Sequence, residues 1–298
     1  MEFIKPGINV DFVGKRKIFI SISLLIIFIG IISLIIKGGP KYGVDFAGGT
    51  IVQIKFNKDI NISNLRKVMS KDVAIQSFGE SGNEFLLRFP QTTADTEALS
   101  NQLKTKLIKN FGKKSYEIRR IEMVGPKIGK DLRRKGLLAV VVAIIGILIY
   151  ISIRFEFRFA LGAVIALVHD VLITLGIFSL LNKEIDLTIL AAFLTIVGYS
   201  LNDTIIVYDR IRENMKKFVR GNFGKIINIS INETLSRTIL TSGTTLFVVL
   251  ALFLFGGGVI HDFAFALLIG IVAGTYSSIY IASPILLLLE KKNKKSKK

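Results

Sequence analysis

Ile18-Phe19-Ile20-Ser21-Ile22-Ser23-Leu24-Leu25-Ile26-Ile27-Phe28-Ile29-Gly30-Ile31-Ile32-Ser33-Leu34-Ile35-Ile36 runs without one charged residue, between Lys15-Arg16-Lys17 and Lys37. About 20 residues at a helical rise of about 1.5 Å cross a hydrocarbon core of about 30 Å, so this run reads as a membrane span. It is long for the apolar part of a secretory leader. Lys37-Gly38-Gly39-Pro40-Lys41 follows without a small-x-small cleavage site, so the span is expected to be retained. Five further apolar segments follow, over about 136–153, 159–181, 187–208, 238–255 and 263–289. The expected fold is an α-helical polytopic membrane protein of six transmembrane helices. One soluble domain is looped out between spans 1 and 2. The parts are then 1–36 (N-terminus and first span), 37–135 (domain and linkers), 136–289 (spans 2 to 6) and 290–298 (a basic tail).

Bulk composition agrees. Of 298 residues, 51% are hydrophobic and the mean hydropathy is +0.55. Lys and Arg number 40 against 22 Asp and Glu, a net charge of +18. A basic chain can signal nucleic acid, but membrane proteins concentrate Lys and Arg on the cytoplasmic side, and no nucleic-acid partner is expected. Lys15, Arg16 and Lys17, then Arg154 and Arg158, then Arg210, Arg212, Lys216, Lys217, Arg220 and Lys225, then the lysine-rich tail all fall on one side of a six-span chain. The opposite short loops, 182–186 and 256–261, are nearly free of basic residues. Both termini are therefore expected to be cytoplasmic and the 37–135 domain extracytoplasmic; long loops are exempt from the charge rule. Cysteine is absent, which excludes disulfides and thiolate metal sites. His169 and His261 are too few for a zinc site without carboxylate help, and no metal or cofactor is expected.

The looped-out stretch has a readable order. Residues 50–56 alternate and are rich in β-branched side chains, a strand. A helix is expected over 62–69 after Asn61 as N-cap, and short strands over 73–78 and 84–89 around a turn holding Gly79 and Gly82. A helix over 95–111 carries Ala98, Leu99, Leu103 and Leu107 as its apolar stripe, and a last strand covers 116–124. The order β-α-β-β-α-β is the ferredoxin-like α+β unit.

Ionisable residues inside spans are costly, which makes them the sharpest functional signals. They are Asp203, Arg237 and the His169-Asp170 pair. Thr195, Tyr199 and Asp203 share one helix face; Arg237, Thr241 and Thr245 form a second polar stripe. Facing stripes would set an acid near a base, as a proton relay or as a fixed pair that only pins two helices, and the residues leave both readings open. Asn202 and Asp170 are further candidates for supporting a relay; for Asp170 a packed hydrogen-bonding role competes. Gly270, Gly274, Ser278 and Ala282 recur every four residues as a helix-packing surface. Gly48-Gly49 permits a positive-φ turn before the first strand. The 209–228 segment places Ile211, Met215, Phe218 and Val219 at helical spacing and is expected to lie on the membrane surface. The basic tail is expected to meet anionic lipid. No catalytic constellation is present: there is no HExxH, no Walker loop, and no serine placed with a histidine and an acid.

Two stretches carry a resemblance. Tyr42-Gly43-Val44-Asp45-Phe46-Ala47-Gly48-Gly49-Thr50 resembles the signature after the first span in the SecD/SecF family of protein-export membrane subunits, within the resistance-nodulation-division superfamily. Its marked positions are Gly43, Asp45, Phe46, Gly48 and Gly49. Residues 197–214, Val-Gly-Tyr-Ser-Leu-Asn-Asp-Thr-Ile-Ile-Val-Tyr-Asp-Arg-Ile-Arg-Glu-Asn, are similar to the SecF branch, as are Ser236-Arg237-Thr238 and Thr241-Ser242-Gly243-Thr244-Thr245. The resemblance implies a non-enzymatic, proton-coupled subunit of the bacterial inner membrane. It implies pairing with SecD and association with the SecYEG translocon, with YajC and YidC as further associates and an unfolded preprotein as cargo. By motif position, Asp203 and Arg237 match the acid and base of the proton path. Half of a small-molecule or lipid exporter, and a scaffold that carries no protons, are the competing readings.

Overall fold

The computed structural model describes residues 9–70, 72–78, 82–90, 96–218 and 222–296. The expectations on Gly79, Asp95, Val219, Arg220 and the last two tail lysines, Lys297 and Lys298, lie outside the described residues.

Six helices are long and apolar enough to cross a membrane. They are α1 (Phe12–Ile36), α5 (Pro126–Arg154), α6 (Phe157–Leu180), α7 (Leu187–Lys217), α8 (Phe223–Phe255) and α9 (Gly258–Ser277). A π-turn over Ser278–Ala282 carries α9 into α10 (Ser283–Ser296), so the last span is one rod. Most helices outrun the apolar segments that announce them. α7 continues through a charged stretch to Lys217, and α5 starts at Pro126, where proline costs no intrahelical bond. The surface helix expected over 209–228 does not exist as a separate element. Its halves are the ends of α7 and α8, which pack on one another: Ile211 and Asn214 are buried, and Asn214 Nδ2 donates to Ser230 Oγ (3.0 Å) and Glu233 Oε2 (2.7 Å). Ile211 and Met215 of the apolar stripe pack into the bundle, while Phe218 stays exposed.

α6, α7 and α9 form the buried centre of the bundle, and α1, α5 and α8 expose most of their apolar windows. α1 meets α6 where Gly30 and Gly176 face each other; a Cβ on Gly30 would stand 2.7 Å from the Gly176 Cα. Ser33 and Ser179 share a hydrogen bond of 2.8 Å a turn further on. The residues leading into α1 are clasped by α8. Asn232 Oδ1 accepts from the Val10 amide (2.8 Å), Asn228 Oδ1 accepts from Phe12 (2.9 Å), and both asparagine amides return a bond to the Val10 carbonyl.

Between α1 and α5 lies the α+β domain. A four-residue helix α2 (Val44–Ala47) leads to β1 (Gly49–Phe56), α3 (Ile62–Val68), β2 (Ala74–Ser77), β3 (Glu84–Phe89), α4 (Thr96–Phe111) and β4 (Tyr116–Val124). The sheet order is β2-β3-β1-β4, with antiparallel neighbours throughout, which is the ferredoxin-like arrangement. The period-2 pattern explains the core. Val52, Ile54 and Phe56 of β1 and Phe85 and Leu87 of β3 point one way, onto Leu65 of α3 and Leu103 and Leu107 of α4. The register shifts between Gln53 and Ile54, where Arg119 of β4 is the extra residue of a bulge.

The other sheet face turns toward the ends of the spans, across a cleft lined by Gln53, Leu86, Arg88, Asp186, Thr188 and Val259. Arg88 bridges it, pairing with Glu184 (2.8 Å) and Asp186 (3.7 Å) in the α6–α7 loop. Tyr42 forms a parallel bridge with Ile185.

Candidate functional site

The sharpest candidate, Asp203, sits midway along α7, on the side facing α8 and α9, and is 1% exposed. Its Oδ2 accepts from Ser242 Oγ of α8 (3.0 Å) and Thr275 Oγ1 of α9 (3.3 Å). Thr275 Oγ1 also lies 2.7 Å from Ser242 Oγ, so the three side chains close a small ring across three helices. Oδ1 of Asp203 is buried and has no hydrogen-bond partner among the described residues. A buried carboxylate oxygen without a donor is expensive as an anion and comfortable as a carboxylic acid. The hydroxyls can rotate, donating to the anion and releasing the neutral acid, so the ring suits a group that changes its proton.

Arg237 is on α8, little more than one turn before Ser242, and is exposed. No carboxylate oxygen among the described residues lies within ion-pair distance of it, Asp203 included. The two polar stripes do meet: the Tyr199 hydroxyl donates to the Thr241 carbonyl at 3.3 Å. Thr195 and Thr245 turn their hydroxyls back on their own helices, to Ala191 and Thr241 carbonyls, and Thr195 and Asn202 are exposed.

Asp170 of α6 is fully buried against α7 and α9. Its Oδ2 accepts from Ser200 of α7 (2.5 Å) and Ser277 of α9 (2.8 Å), and its Oδ1 lies 2.8 Å from His169 Nδ1. The small-residue face of α9 makes this convergence possible within the chain. Gly270 packs on Ile196 and Gly274 on Ser200, where an added Cβ would stand 2.8 Å from the serine Cβ. Ser278, also buried, begins the π-turn, and the Ala282 carbonyl at its end accepts from the buried Tyr208 hydroxyl of α7 at 3.2 Å.

The motif after α1 is a clamp. Gly43 N donates to the Ile185 carbonyl (2.9 Å), and Asp45 Oδ2 accepts from Leu187 N, the first amide of α7 (3.0 Å). Phe46 is buried against the bundle. Gly48 (φ 83°) and Gly49 (φ 144°) hold the left-handed region, and a Cβ on Gly48 would stand 3.0 Å from the Pro126 Cα. Asp186 caps α7 through Ile189 N at 2.9 Å. Burial pushes the Asp186 carboxyl up from its ordinary value, against the opposing pull of the Ile189 amide and the Arg88 guanidinium.

Ser242 and Thr275, the donors on Asp203, are not singled out by the sequence as its partners; nor are Ser200 and Ser277 as those of Asp170. Hydroxyls inside an apolar span are the only signal, and they are too common to point at one carboxylate. No group of three or more His, Asp or Glu among the described residues is placed to hold a metal ion.

A family profile described as protein export membrane protein SecD/SecF, C-terminal, matches residues 103–292, and one described as the SecD/SecF GG motif matches residues 32–60. A protein named protein translocase subunit SecF from Calditerrivibrio nitroreducens is 47% identical over 302 residues, covering 99% of this chain and 99% of its own length. Its namesake from Vibrio alginolyticus is 48% identical over 293 residues, covering 97% and 92%. Among solved structures, the crystal structure of SecDF, a translocon-associated membrane protein from Thermus thermophilus, aligns with a TM-score of 0.83 at 36% identity over 96% of this chain. This chain spans 39% of the length of that SecDF chain.

Proposed function

Because this chain belongs to the SecD/SecF family of protein-export membrane proteins, we propose that it is a SecF subunit that moves protons to promote preprotein translocation. SecD supplies the complementary six-span half, and the pair works beside the SecYEG channel, with YajC and YidC as associates. The chain sits in the bacterial inner membrane with both termini cytoplasmic and the α+β domain outside. The clustering of Lys15–Lys17, Arg154, Arg158 and Arg210 at the end away from the domain supports that orientation. A reporter fused to the C-terminus is expected to read cytoplasmic.

The observation that carries the proposal is the Asp203 ring: a buried carboxylate with one oxygen held by two hydroxyls and the other bare. As an anion Asp203 holds Ser242 of α8 and Thr275 of α9 together. As a neutral acid it needs neither donor so strongly, and the three helices lose their common tie. Proton uptake is thereby coupled to helix spacing without any covalent step. Arg237, on the same helix as Ser242, supplies a cation that favours the anion when it draws near.

Asp203→Asn keeps the shape and an acceptor for Ser242 but cannot change its proton. The variant is expected to assemble in the membrane and to lose proton-dependent export. Normal export by it would leave only a scaffold role. Efflux of a small molecule by the reconstituted protein, without preprotein, would favour the exporter reading.

A further inference from the structure

Two buried carboxylates pack against α7, and only one of them enters the proposal above. Asp203, on α7, bonds to α8 and α9; Asp170, on α6, meets α7 three residues earlier on the same face and also bonds to α9. Ser200, which donates to Asp170, is one turn before Asp203 on α7. Ser277, which also donates to Asp170, is two residues after Thr275 on α9, and Thr275 donates to Asp203. Asp170 thus ties together the two helices whose spacing sets the Asp203 ring, and it does so within one turn of the ring on each.

The tie is tight. Asp170 and Ser277 are 0% exposed and Ser200 is 1%. Gly274 lies directly against Ser200, so α7 and α9 have no slack at this level. The π-turn begins immediately after Ser277. An extra residue in a helical turn is a point where register can slip, and a hydrogen-bonded anchor just before it keeps such a slip from reaching Thr275. Other titratable groups near Asp170 are His169, bonded to Oδ1, and Tyr276, whose ring stacks on His169 at 6.0 Å.

We infer that Asp170 is a positioning residue for Asp203: by holding Ser200 and Ser277 on one carboxylate oxygen, it keeps α9 in the register at which Thr275 reaches the Asp203 carboxylate. The inference rests on Asp203 being the group that changes its proton, and it gives Asp170 no proton to carry. What Asp170 supplies is an acceptor oxygen. An asparagine can keep both serine bonds on its carbonyl and direct its amide at His169 Nδ1, whereas an alanine keeps none of them.

The test is site-resolved carbodiimide labelling of Asp203, read by peptide mass spectrometry at fixed pH. It uses the full chain with its SecD-type partner in vesicles. Carbodiimides trap protonated carboxyls, so the label reports the Asp203 proton directly and not the bulk fold. Asp170→Ala is expected to raise labelling several-fold, up to about tenfold, because a hydroxyl bond to a carboxylate is worth about that factor in its proton equilibrium. Ser277→Ala, a milder change, is expected to move it in the same direction by less. Asp170→Asn is expected to match the unaltered protein in labelling and in export. Unchanged labelling in Asp170→Ala and Ser277→Ala would overturn the inference while leaving the Asp203 reading intact. An equal rise in labelling and an equal loss of export in Asp170→Asn and Asp170→Ala would overturn it in favour of a charge or relay role. No labelling of Asp203 at any pH in the unaltered protein would remove the Asp203 reading and this inference with it.

Discussion

The α+β domain and the membrane bundle are built by one chain on opposite rules. Inside the domain, the apolar side chains of Val52, Ile54, Phe56, Phe85, Leu87, Leu103 and Leu107 meet between sheet and helices. Between α6, α7 and α9, the fully buried contacts include Asp170, Ser200, Ser277 and Gly274. Water accounts for the difference. Leaving it rewards apolar burial by about 25 cal/mol per Å². In a bilayer the apolar surface is already out of water, so helices associate through close approach of small residues and through hydrogen bonds. The domain is held by what it hides, and the bundle by what it can bond.

The largest test of that contrast is Phe56→Ala. Phe56 is 0% exposed and makes edge contacts with Phe85 and Phe111. A truncation of this kind costs about 3–5 kcal/mol. Hydrogen exchange in vesicles should show β1 and β3 opening while α6 and α7 stay protected; loss of protection in both would mean that the two regions fold as one. Next is Arg88→Ala, which removes the guanidinium bridging the domain to Glu184 and Asp186. It is expected to cost about 1–3 kcal/mol of docking, because Lys41 still pairs with Glu184 at 3.1 Å. Faster proteolysis in the α1–α2 and β4–α5 connections is the readout.

Tyr208→Phe removes the hydroxyl that meets the Ala282 carbonyl. Hydrogen bonds between membrane helices average about 0.6 kcal/mol, so thermal stability in detergent should fall only slightly. A loss as large as that of Phe56→Ala would break the contrast. The smallest effect is expected from Asp186→Asn, which retains a good helix cap. Burial raises the folded-state value of this acid. Between the ordinary carboxylate value and the raised one, the folded chain holds a proton that the unfolded chain has lost. Stability from this group therefore falls as pH rises through that window, and the penalty is complete above it. Asp186→Asn should flatten that slope, read by thermal melts across the acid range.

The two regions also differ in how plainly they are written in the sequence. The β3 and β4 limits are legible from their apolar alternation, and the βαββαβ order from that together with the Asn61 cap and the helical spacing of Leu99, Leu103 and Leu107. The apolar runs locate the six spans but not their ends: α7 and α8 continue past the lipid boundary as a protein-packed pair, and charge there gives no stop signal. Asp203, Arg237 and Asp170 stand out as ionisable residues in apolar surroundings. Their partners do not, since Ser242, Thr275, Ser200 and Ser277 are set by helix rotation, and the π-turn after Ser277 changes that rotation just ahead of Pro284, a residue that marks a break without saying how far the helix turns.

The asparagine clasp at the start of α1 has a consequence for synthesis. Phe12 waits for Asn228, a separation of 216 residues, and Val10 waits for Asn232, a separation of 222. While the ribosome is still making the elements from α2 to α7, the Val10 amide has no asparagine to meet, and Phe12 has only its local bond to the Val10 carbonyl (3.1 Å). The seam can close only once α8 emerges, so the earliest segment translated is among the last to be secured. A nascent chain stalled before Asn228 would leave the residues just ahead of α1 without the α8 side chains that hold them. Closing that seam takes a chain in which five of the six spans have been made or begun.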